Sequence, residues 1–415
     1  MNKEIEEQII KEASRCLNCK NKPCTKGCPL GNDIPQFIKY TKEKEYKRAY
    51  EVLRNTTIMP FICGRVCPKS NQCQGSCIRG IKGQPVNIGK IESFIGDLAI
   101  ENKWYIEDKN QENKKKVAIV GSGPAGINAS FELALNGYSV YLYEKHEKIG
   151  GILRYGIPEF RLDKKHVDIL EEKLQNLGVK ICTNQELGKD FALSDLQEKF
   201  DAIILDIGAN NSCKMNIPGE DLNHVFGANE LLEENNHPNY ENKKVIVIGG
   251  GNVALDAART AKQKGAKEVT VVYRRAREQM PAENVEIEEA ISENIEFMFQ
   301  VNVKEIFLNK VECTKNILVK KENEQREVPV EIENSEFEMD SDYVIMAIGS
   351  KLNNKITEQG IELNEKGYIK VDENGMTNIK NVYAIGDCAG NKATVAWAAR
   401  NGKNIARRIV EQDKL

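Results

Sequence analysis

The chain has 415 residues, and its 59 Lys plus Arg against 62 Asp plus Glu give a formal net charge of −3 at pH 7. This length allows several domains with ample buried core, and the near-neutral balance gives no reason to expect nucleic acid or an anionic membrane surface as a partner. No apolar run approaches the roughly 20 residues that span a bilayer, and residues 1–7 lack the apolar core of a signal peptide. The sequence therefore predicts a soluble, cytoplasmic protein with no membrane partner.

Cysteines are concentrated near the start of the chain, where eight of the twelve occur at or before position 77. Their spacing is Cys16-x2-Cys19-x4-Cys24-x3-Cys28-Pro29 and Cys63-x3-Cys67-Pro68-x4-Cys73-x3-Cys77. Closely spaced cysteines followed by Cys-Pro are typical of iron–sulfur ligation. Zinc would favour paired Cys-x2-Cys or His ligands, and no His precedes His146. Disulfides would need an oxidising compartment, so iron–sulfur ligation is favoured over both alternatives.

Two polar, charged stretches, 101–116 and 233–244, are interpreted as boundaries between folded units. The first ends in the basic run Lys114-Lys115-Lys116, which is interpreted as a solvated linker.

After the first boundary, an apolar strand over Lys116–Val120 leads into the loop Gly121-Ser122-Gly123-Pro124-Ala125-Gly126. The first glycine permits a tight turn, the second lets the backbone approach a pyrophosphate, and the third allows close helix–strand packing. The next residues, 127–136, are expected to be helical, and a second strand over Ser139–Tyr143 ends at Glu144, placed to bind a ribose hydroxyl. The alternative is a glycine-rich turn in an ordinary strand–helix unit.

The same pattern recurs at a strand over Lys244–Ile248, a helix to Lys264 and a strand over Glu268–Tyr273. Its loop is Gly249-Gly250-Gly251-Asn252-Val253-Ala254, with Ala254 in place of the third glycine. Here the second strand ends in Arg274 and Arg275 rather than an acid. Guanidinium groups at this position would pair with a ribose 2′-phosphate, which predicts NADP. The alternative is that the arginines form a solvated loop with Arg277.

A third strand–turn–helix segment consists of a strand over 381–385, the turn Gly386-Asp387-Cys388-Ala389-Gly390 and a helix over 394–410. It resembles the second flavin motif of flavoproteins with two dinucleotide domains, in which the Asp holds a ribityl hydroxyl of FAD. The order of the three motifs predicts that the FAD domain begins near residue 117, is interrupted at about 240–335, and resumes with residues 342–349.

Several stretches together resemble the small (beta) subunit of NADPH-dependent glutamate synthase over essentially the whole chain. Besides the cysteine-rich segments, they include Gly64-Arg65-Val66-Cys67-Pro68, Gly150-Gly151-Ile152-Leu153-Arg154-Tyr155-Gly156-Ile157-Pro158, Asn216-Ile217-Pro218-Gly219-Glu220 and Met280-Pro281-Ala282. The same module resembles the NADPH-binding subunit of the electron-bifurcating transhydrogenase and the flavin part of dihydropyrimidine dehydrogenase.

This resemblance implies an α/β fold with two Rossmann-like dinucleotide domains after an α-helical iron–sulfur domain. The expected boundaries are 1–112 for the cluster domain, 113–238 with 336–415 for the FAD domain, and 239–335 for the NAD(P)H domain. Besides its glycine loop, the FAD site would include Glu144, Lys145, Gly151, Ile152, Ile157, Gly386, Asp387 and Thr394. The NADP site would add Gly349 to the second loop and the two arginines.

The resemblance also implies two [4Fe-4S] clusters, the first bound by Cys16, Cys19, Cys24 and Cys77. The second would take Cys28, Cys67 and Cys73, with Glu92 as the fourth ligand and Cys63 as the competing candidate. One departure is Asp206-Ile207-Gly208, where the family usually has a small residue and Thr before the glycine.

The implied function is electron input, in which NADPH gives hydride to FAD without a catalytic side chain and the clusters relay electrons onward. The expected acceptor is a large catalytic subunit or a ferredoxin-linked partner, in a hetero-oligomer. A thioredoxin-reductase-like reaction is not expected, because Cys182, Cys213, Cys313 and Cys388 are isolated. The alternatives are the transhydrogenase subunit, the dihydropyrimidine dehydrogenase flavin subunit, and a redox-sensing or assembly module without turnover.

Overall fold

The computed structural model describes residues 3–105, 115–320 and 326–413. Its helices are α1 (Lys3–Ser14), α2 (Pro23–Gly27), α3 (Ile34–Lys42), α4 (Tyr46–Arg54), α5 (Pro60–Val66), α6 (Ile88–Glu101), α7 (Pro124–Leu135), α8 (Ile152–Tyr155), α9 (Lys165–Asn176), α10 (Leu193–Gln197), α11 (Ala228–Glu234), α12 (Asn252–Gln263), α13 (Asn284–Ser292) and α14 (Val395–Gln412). Its strands are β1 (Lys116–Val120), β2 (Ser139–Tyr143), β3 (Lys180–Cys182), β4 (Ala202–Leu205), β5 (Asn211–Ser212), β6 (Val225–Gly227), β7 (Lys244–Ile248), β8 (Glu268–Tyr273), β9 (Glu296–Phe299), β10 (Val301–Ile306), β11 (Lys310–Val319), β12 (Val328–Glu331), β13 (Phe337–Asp340), β14 (Tyr343–Met346), β15 (Ser350–Lys351) and β16 (Val382–Ala384).

The cysteine-rich segment is helical, from α1 to α6, as the family resemblance implied. Side-chain caps begin two of these helices: the Asp33 carboxylate accepts the Gln36 N–H at the start of α3, and the Asn87 side chain accepts the Lys90 N–H at the start of α6. Each cap satisfies a backbone donor that the helix itself cannot. The apolar faces of α1, α3, α4 and α6 meet in one core that includes Phe37 and Tyr50.

The first nucleotide-type sheet is fully parallel, with strand order β16-β4-β1-β2-β3. Its central strand β1 is buried from Val117 to Val120, which is expected of a parallel sheet covered on both faces. The carboxyl ends of parallel strands lie at one edge of the sheet. Consequently the residues after β1, β2, β4 and β16, namely Gly121, Glu144, Asp206 and Ile385-Gly386, gather at that edge.

The cysteine-rich helices and this first sheet belong to one compact unit, formed by Met1–Arg154, Glu159–Gly208 and Asn354–Leu415. The second unit consists of Tyr155–Pro158 and Ala209–Asn353. The boundary that the sequence predicts between residues 112 and 113 lies outside the described residues, as does most of the polar stretch 101–116.

The second unit contains another parallel sheet, of order β6-β14-β7-β8-β9. It also has an antiparallel sheet in which β11 pairs with β10, β12 and β13. A short antiparallel ribbon joins β5 to β15.

One strand was assigned to the wrong sheet. Residues 342–349 were expected to resume the first nucleotide domain, but β14 lies in the second sheet, where Val344 pairs with Ile246 and with Val225. A short, buried apolar strand fits the middle of either parallel sheet, so its sequence does not show which sheet it joins. The three-domain division by cofactor remains a prediction.

Candidate cofactor sites

The first glycine loop follows β1 and leads directly into α7. Gly121 has φ +101°, and a methyl group there would lie 2.0 Å from the Asp206 carbonyl oxygen. The third glycine, Gly126, is equally confined, because a methyl group would lie 2.2 Å from the Gly121 carbonyl oxygen. Only glycine fits both positions, so the loop keeps the tight turn that turns the start of α7 towards a phosphate.

Glu144 lies at the end of β2, as predicted, and is buried. Its Oε2 accepts the Ser122 N–H at 3.2 Å as well as the Ser122 hydroxyl, and its Oε1 accepts the His146 N–H at 2.9 Å. An ionised carboxylate has about four acceptor positions. Glu144 can therefore orient the glycine loop and still accept a ribose hydroxyl.

Asp387 lies in the turn Gly386–Ala389 after β16. Burial raises the pKa of its carboxyl to about 6. Its Oδ1 is buried and has no hydrogen-bond partner in the described part of the chain. Because a buried acceptor without a donor is costly, this oxygen fits a ligand hydroxyl, such as the ribityl hydroxyl implied by the resemblance.

The turn at Gly386 is held by Asn401, which no sequence pattern identifies: the Gly386 N–H donates to Asn401 Oδ1 at 2.8 Å. Thr394, which was predicted for FAD, caps α14 by accepting the Trp397 N–H at 3.4 Å. An asparagine inside a helix carries no sequence signal for this role.

The other residues predicted for FAD are divided between the two units. Gly151 lies against the first loop, because a methyl group there would lie 2.8 Å from the Gly123 Cα. Lys145 and Ile152 are exposed and belong to the first unit, whereas Ile157 is buried and belongs to the second.

The second glycine loop, between β7 and α12, has the same construction in the second unit. Gly249 has φ +147°, and a methyl group on Gly250 would lie 2.5 Å from the Tyr273 ring. A methyl group on Gly251 would meet no atom of the described chain within 4 Å, which leaves room for a phosphate. Ala254 is buried in the first turn of α12, after Asn252 and Val253, and its N–H donates to the Gly251 carbonyl at 3.0 Å.

Arg274 and Arg275 directly follow β8. Arg274 is exposed, and the Nε of Arg275 is buried without a hydrogen-bond partner among the described residues. Nearby Arg277 is instead paired with Glu288. The unused donor of Arg275 fits an anionic ligand. Gly349, also predicted for NADP, lies in the same unit with φ +136°.

The first predicted cluster set is brought together by the structure. Cys16, Cys19, Cys24 and Cys77 line one pocket. Burial, together with the neighbouring Cys16 and Cys77 sulfurs, raises the pKa of the Cys24 thiol to about 11. Iron would supply the positive charge that stabilises these thiols as thiolates.

The second predicted set is also brought together and is more deeply buried. Burial, followed by the nearby Glu92 carboxyl, raises the pKa values of the Cys28 and Cys73 thiols, and both also raise the pKa of Cys67. Burial raises the pKa of Glu92 itself to about 8, although Lys69 and the Asn32 amide oppose this shift. The Asn32 Nδ2 donates to Glu92 Oε1 at 3.1 Å.

Cys63 is also close to the second set. Its hydrogen bond to Cys67 is the largest of the effects that raise the pKa of the Cys67 thiol. It lies inside α5, with its sulfur 3.8 Å from the Thr57 hydroxyl. In the described residues, no three His, Cys, Asp or Glu side chains converge on a point where they could hold a single metal ion. A [4Fe-4S] cluster does not need this convergence, since each ligand binds a different iron.

Family models match both parts of the chain. The Pyridine nucleotide-disulphide oxidoreductase model matches residues 115–402, and the model for Dihydropyrimidine dehydrogenase domain II, 4Fe-4S cluster, matches residues 1–104. The glutamate synthase [NADPH] small chain of Azospirillum brasilense is 34% identical over 97% of this chain and 89% of its own length. The chain belongs to the glutamate synthase small-chain family. Its Escherichia coli member is 33% identical over 98% of this chain and 91% of its own length.

As a member of this family, the protein is an FAD-dependent NADPH oxidoreductase that carries an iron–sulfur domain. The predicted family, fold class and kinds of cofactor are thereby confirmed, whereas the number of clusters and the individual ligands remain predictions. Within the described residues, no helix is both long and apolar enough to span a membrane.

Solved structures support the fold. Mycobacterium tuberculosis FprA in complex with NADPH is similar at a TM-score of 0.65 and 19% identity, over 73% of this chain and 85% of that one. The thioredoxin reductase of T. acidophilum is similar at a TM-score of 0.54 and 22% identity, over 73% of this chain and all of that one. Both likenesses concern the fold alone.

Proposed function

We propose that this protein is the small subunit of a glutamate synthase, which oxidises NADPH and supplies electrons to a large catalytic subunit. The observation that carries the proposal is the match to glutamate synthase small chains over 97% of this chain. The NADPH-Fe(3+) oxidoreductase subunit beta of Geobacter sulfurreducens is also 33% identical, but the chain covers only 63% of its length. Three glutamate synthase small chains, at 33–34% identity over 96–98% of this chain, support glutamate synthase.

The residues of the first unit fit FAD. The confined glycines at Gly121 and Gly126 fix the tight turn before α7, and the unpartnered Asp387 Oδ1 offers an acceptor. When bound, FAD accepts hydride from NADPH and releases electrons one at a time. The chain's own contribution is to bind and orient the cofactors, so no side-chain acid or base is assigned.

The second unit fits NADPH. Gly251 leaves space at the start of α12. Arg274 and Arg275 provide guanidinium groups directly after β8, the strand that pairs with β7. Neither has an ion pair in the described part of the chain, so both are available to a 2′-phosphate.

The two cysteine sets differ in their surroundings, which suggests different roles. The second set is close to the flavin helix α14, because Gln72 Nε2 lies 3.5 Å from the Thr394 hydroxyl and Arg400 donates to the Pro29 carbonyl at 2.9 Å. The first set is more exposed and is bordered by the exposed side chains of Leu17, Ile78 and Arg79. The first set therefore marks the face proposed for the large subunit.

Anaerobically purified protein tests the cofactor content first. Two [4Fe-4S] clusters correspond to about eight iron and about eight labile sulfide per chain. Zinc at full occupancy without sulfide would contradict the proposed ligand sets.

Turnover with NADPH and an artificial electron acceptor separates this enzyme from a redox-sensing or assembly module. The proposal expects steady NADPH oxidation by the isolated chain, and glutamate formation from glutamine and 2-oxoglutarate only after a large subunit is added. If affinity purification from the native source yields another oxidoreductase instead, the chain is the electron-input subunit of that enzyme.

A further inference from the structure

Asp206 is an acidic residue placed directly behind the FAD glycine loop. It follows β4, and its side chain is only 7% exposed. Its Oδ2 accepts the Gly126 N–H at 2.6 Å and also faces the Gly123 N–H. Oδ1 would lie 2.6 Å from a methyl group placed on Gly386. The carboxyl therefore fills the space between the two FAD motifs of this chain.

The ionisable groups that surround Asp206 are themselves acidic. Glu144 approaches from the end of β2, and Asp387 and the Cys388 thiol approach from the turn after β16, while α7 contributes backbone N–H groups. The structure shows no ion pair to Asp206 in the part of the chain that it describes. Burial, together with Asp387 and Glu144, raises the pKa of Asp206 well above its usual range, although the N–H groups of Gly126 and Gly123 oppose this shift.

The N–H groups that Asp206 uses belong to the helix start that would face the FAD pyrophosphate. A helix N-terminus stabilises one anion well, but two anions that share it repel each other across a buried region. We propose that Asp206 is a positioning residue that must be neutral for tight FAD binding, so that FAD binding takes up one proton from solvent. This inference rests on the proposed FAD site and explains how the chain tolerates an acid beneath it.

The proton balance is simple. Without FAD, an ionised Asp206 occupies the N–H groups as an anion. With FAD, the carboxyl holds a proton and the pyrophosphate becomes the anion at the helix start. By linkage, the affinity for FAD falls as pH rises through the range where free Asp206 loses its proton, by up to about tenfold per pH unit. Asp387, with its pKa of about 6, is already ionised above about pH 7 and does not contribute there.

The test uses full-length protein from which FAD has been removed. FAD is titrated back from about pH 7 to about pH 9, with quenching of flavin fluorescence as the readout, and proton uptake is measured by calorimetry in two buffers of different ionisation enthalpy. We expect the wild-type dissociation constant to rise with pH, by up to about tenfold per pH unit where free Asp206 ionises, with uptake of up to one proton.

Asp206→Asn keeps the shape of the side chain but cannot ionise, so its FAD affinity should vary by less than about twofold over the same range. The matched control is Asp201→Asn at the other end of β4, where Asp201 Oδ2 accepts the Lys116 N–H at 2.7 Å at an exposed position. This control should retain the wild-type pH dependence. If Asp206→Asn does not fold, Asp206→Ala and the wild-type proton uptake decide the question.

Tight wild-type FAD binding that is independent of pH and takes up no proton would overturn the inference while leaving the FAD site intact. The same pH dependence in wild type and Asp206→Asn would also overturn it. Failure of the wild-type protein to bind FAD at any pH would overturn the proposed function and this inference with it.

Discussion

Two adjacent arginines at the end of β8 are expected to decide whether the protein prefers NADPH or NADH. Each charge-assisted contact to a 2′-phosphate contributes about 1.5–3 kcal/mol. Replacing both Arg274 and Arg275 with Ala should therefore weaken NADPH binding by more than about a hundredfold if the two effects add. NADH has no phosphate to lose and should change far less. The measurement is the ratio of kcat/KM for NADPH over NADH with an artificial acceptor.

Arg277→Ala is the matched control, because Arg277 is three residues from Arg274 but already paired with Glu288. It should leave the coenzyme ratio near that of wild type. A wild-type preference for NADH, or an unchanged ratio in the double variant, would show that the two arginines are ordinary surface residues.

The fourth ligand of the second cluster is a choice between Glu92 and Cys63. Glu92 is buried among all three cysteines of this set, whereas Cys63 is near Cys67 within α5. We expect Glu92→Ala to change the potential or the occupancy of this cluster, because it removes the proposed fourth ligand of one iron. Iron content and electron paramagnetic resonance of the reduced protein are the measurements.

Cys63→Ser is the comparison variant, and it should leave the spectra of both clusters intact. A changed spectrum in Cys63→Ser with a normal Glu92→Ala protein would assign Cys63 as the ligand. Both substitutions lie in a buried region. A variant that misfolds loses FAD as well as iron, whereas a variant that lacks only a cluster ligand keeps its FAD.

Residues with a fixed geometric role could be predicted from the sequence, and residues whose role depends on tertiary contacts could not. Gly121, Gly249 and Asp387 were found because turn geometry and motif order restrict them. The contact of Asn401 with Gly386 joins two segments that no local pattern connects. The effect of Asp206 on the glycine loop was likewise visible only as a departure from the family pattern.

At the scale of elements, the predicted strands β1, β2, β7 and β8 agree with the structure at both ends. Glycine loops and polar residues mark these ends in the sequence. The third motif was also found, although β16 is shorter than the predicted 381–385 and α14 extends to Gln412. β14 was assigned to the wrong sheet because apolar composition predicts a buried strand but does not predict which strands pair with it.

Close contact between helices α7 and α14 depends on Gly402. A methyl group there would lie 2.0 Å from the Ala125 carbonyl oxygen, within the first turn of α7. Gly402→Ala should therefore separate the two helices and destabilise the fold by about 1–3 kcal/mol. It should also weaken FAD binding, since both helices begin beside the predicted FAD residues. The thermal midpoint and the FAD content after purification measure these two effects.

Gly83→Ala adds the same methyl group where the nearest atom, the Arg79 carbonyl oxygen, is 3.9 Å away. This control should retain wild-type FAD content, with a change in stability within about 0.5 kcal/mol. A Gly402→Ala protein that matches it in both measurements would contradict the close-contact argument.

At the scale of the whole molecule, the second unit is largely one continuous segment, Ala209–Asn353, inserted between two parts of the first unit. Near its ends, β5 and β15 pair antiparallel, with Ser212 opposite Ser350. This pairing holds the two ends of the inserted segment together. An inserted unit with adjacent ends and its own core has the properties of a separately stable domain.

This organisation predicts that each nucleotide protects its own unit. A ligand that binds only the folded state stabilises it by about 2.7 kcal/mol at about 100 times its dissociation constant, which slows exchange through global opening by about a hundredfold. In hydrogen exchange of the intact chain, NADP+ should slow the amides of β7 and β8, and FAD should slow those of β1 and β2. Arg274→Ala with Arg275→Ala serves as the control, because it should abolish the NADP+ effect without altering the FAD effect. Protection of β1 by NADP+ with none in β7 would contradict the assignment of NADPH to the inserted unit.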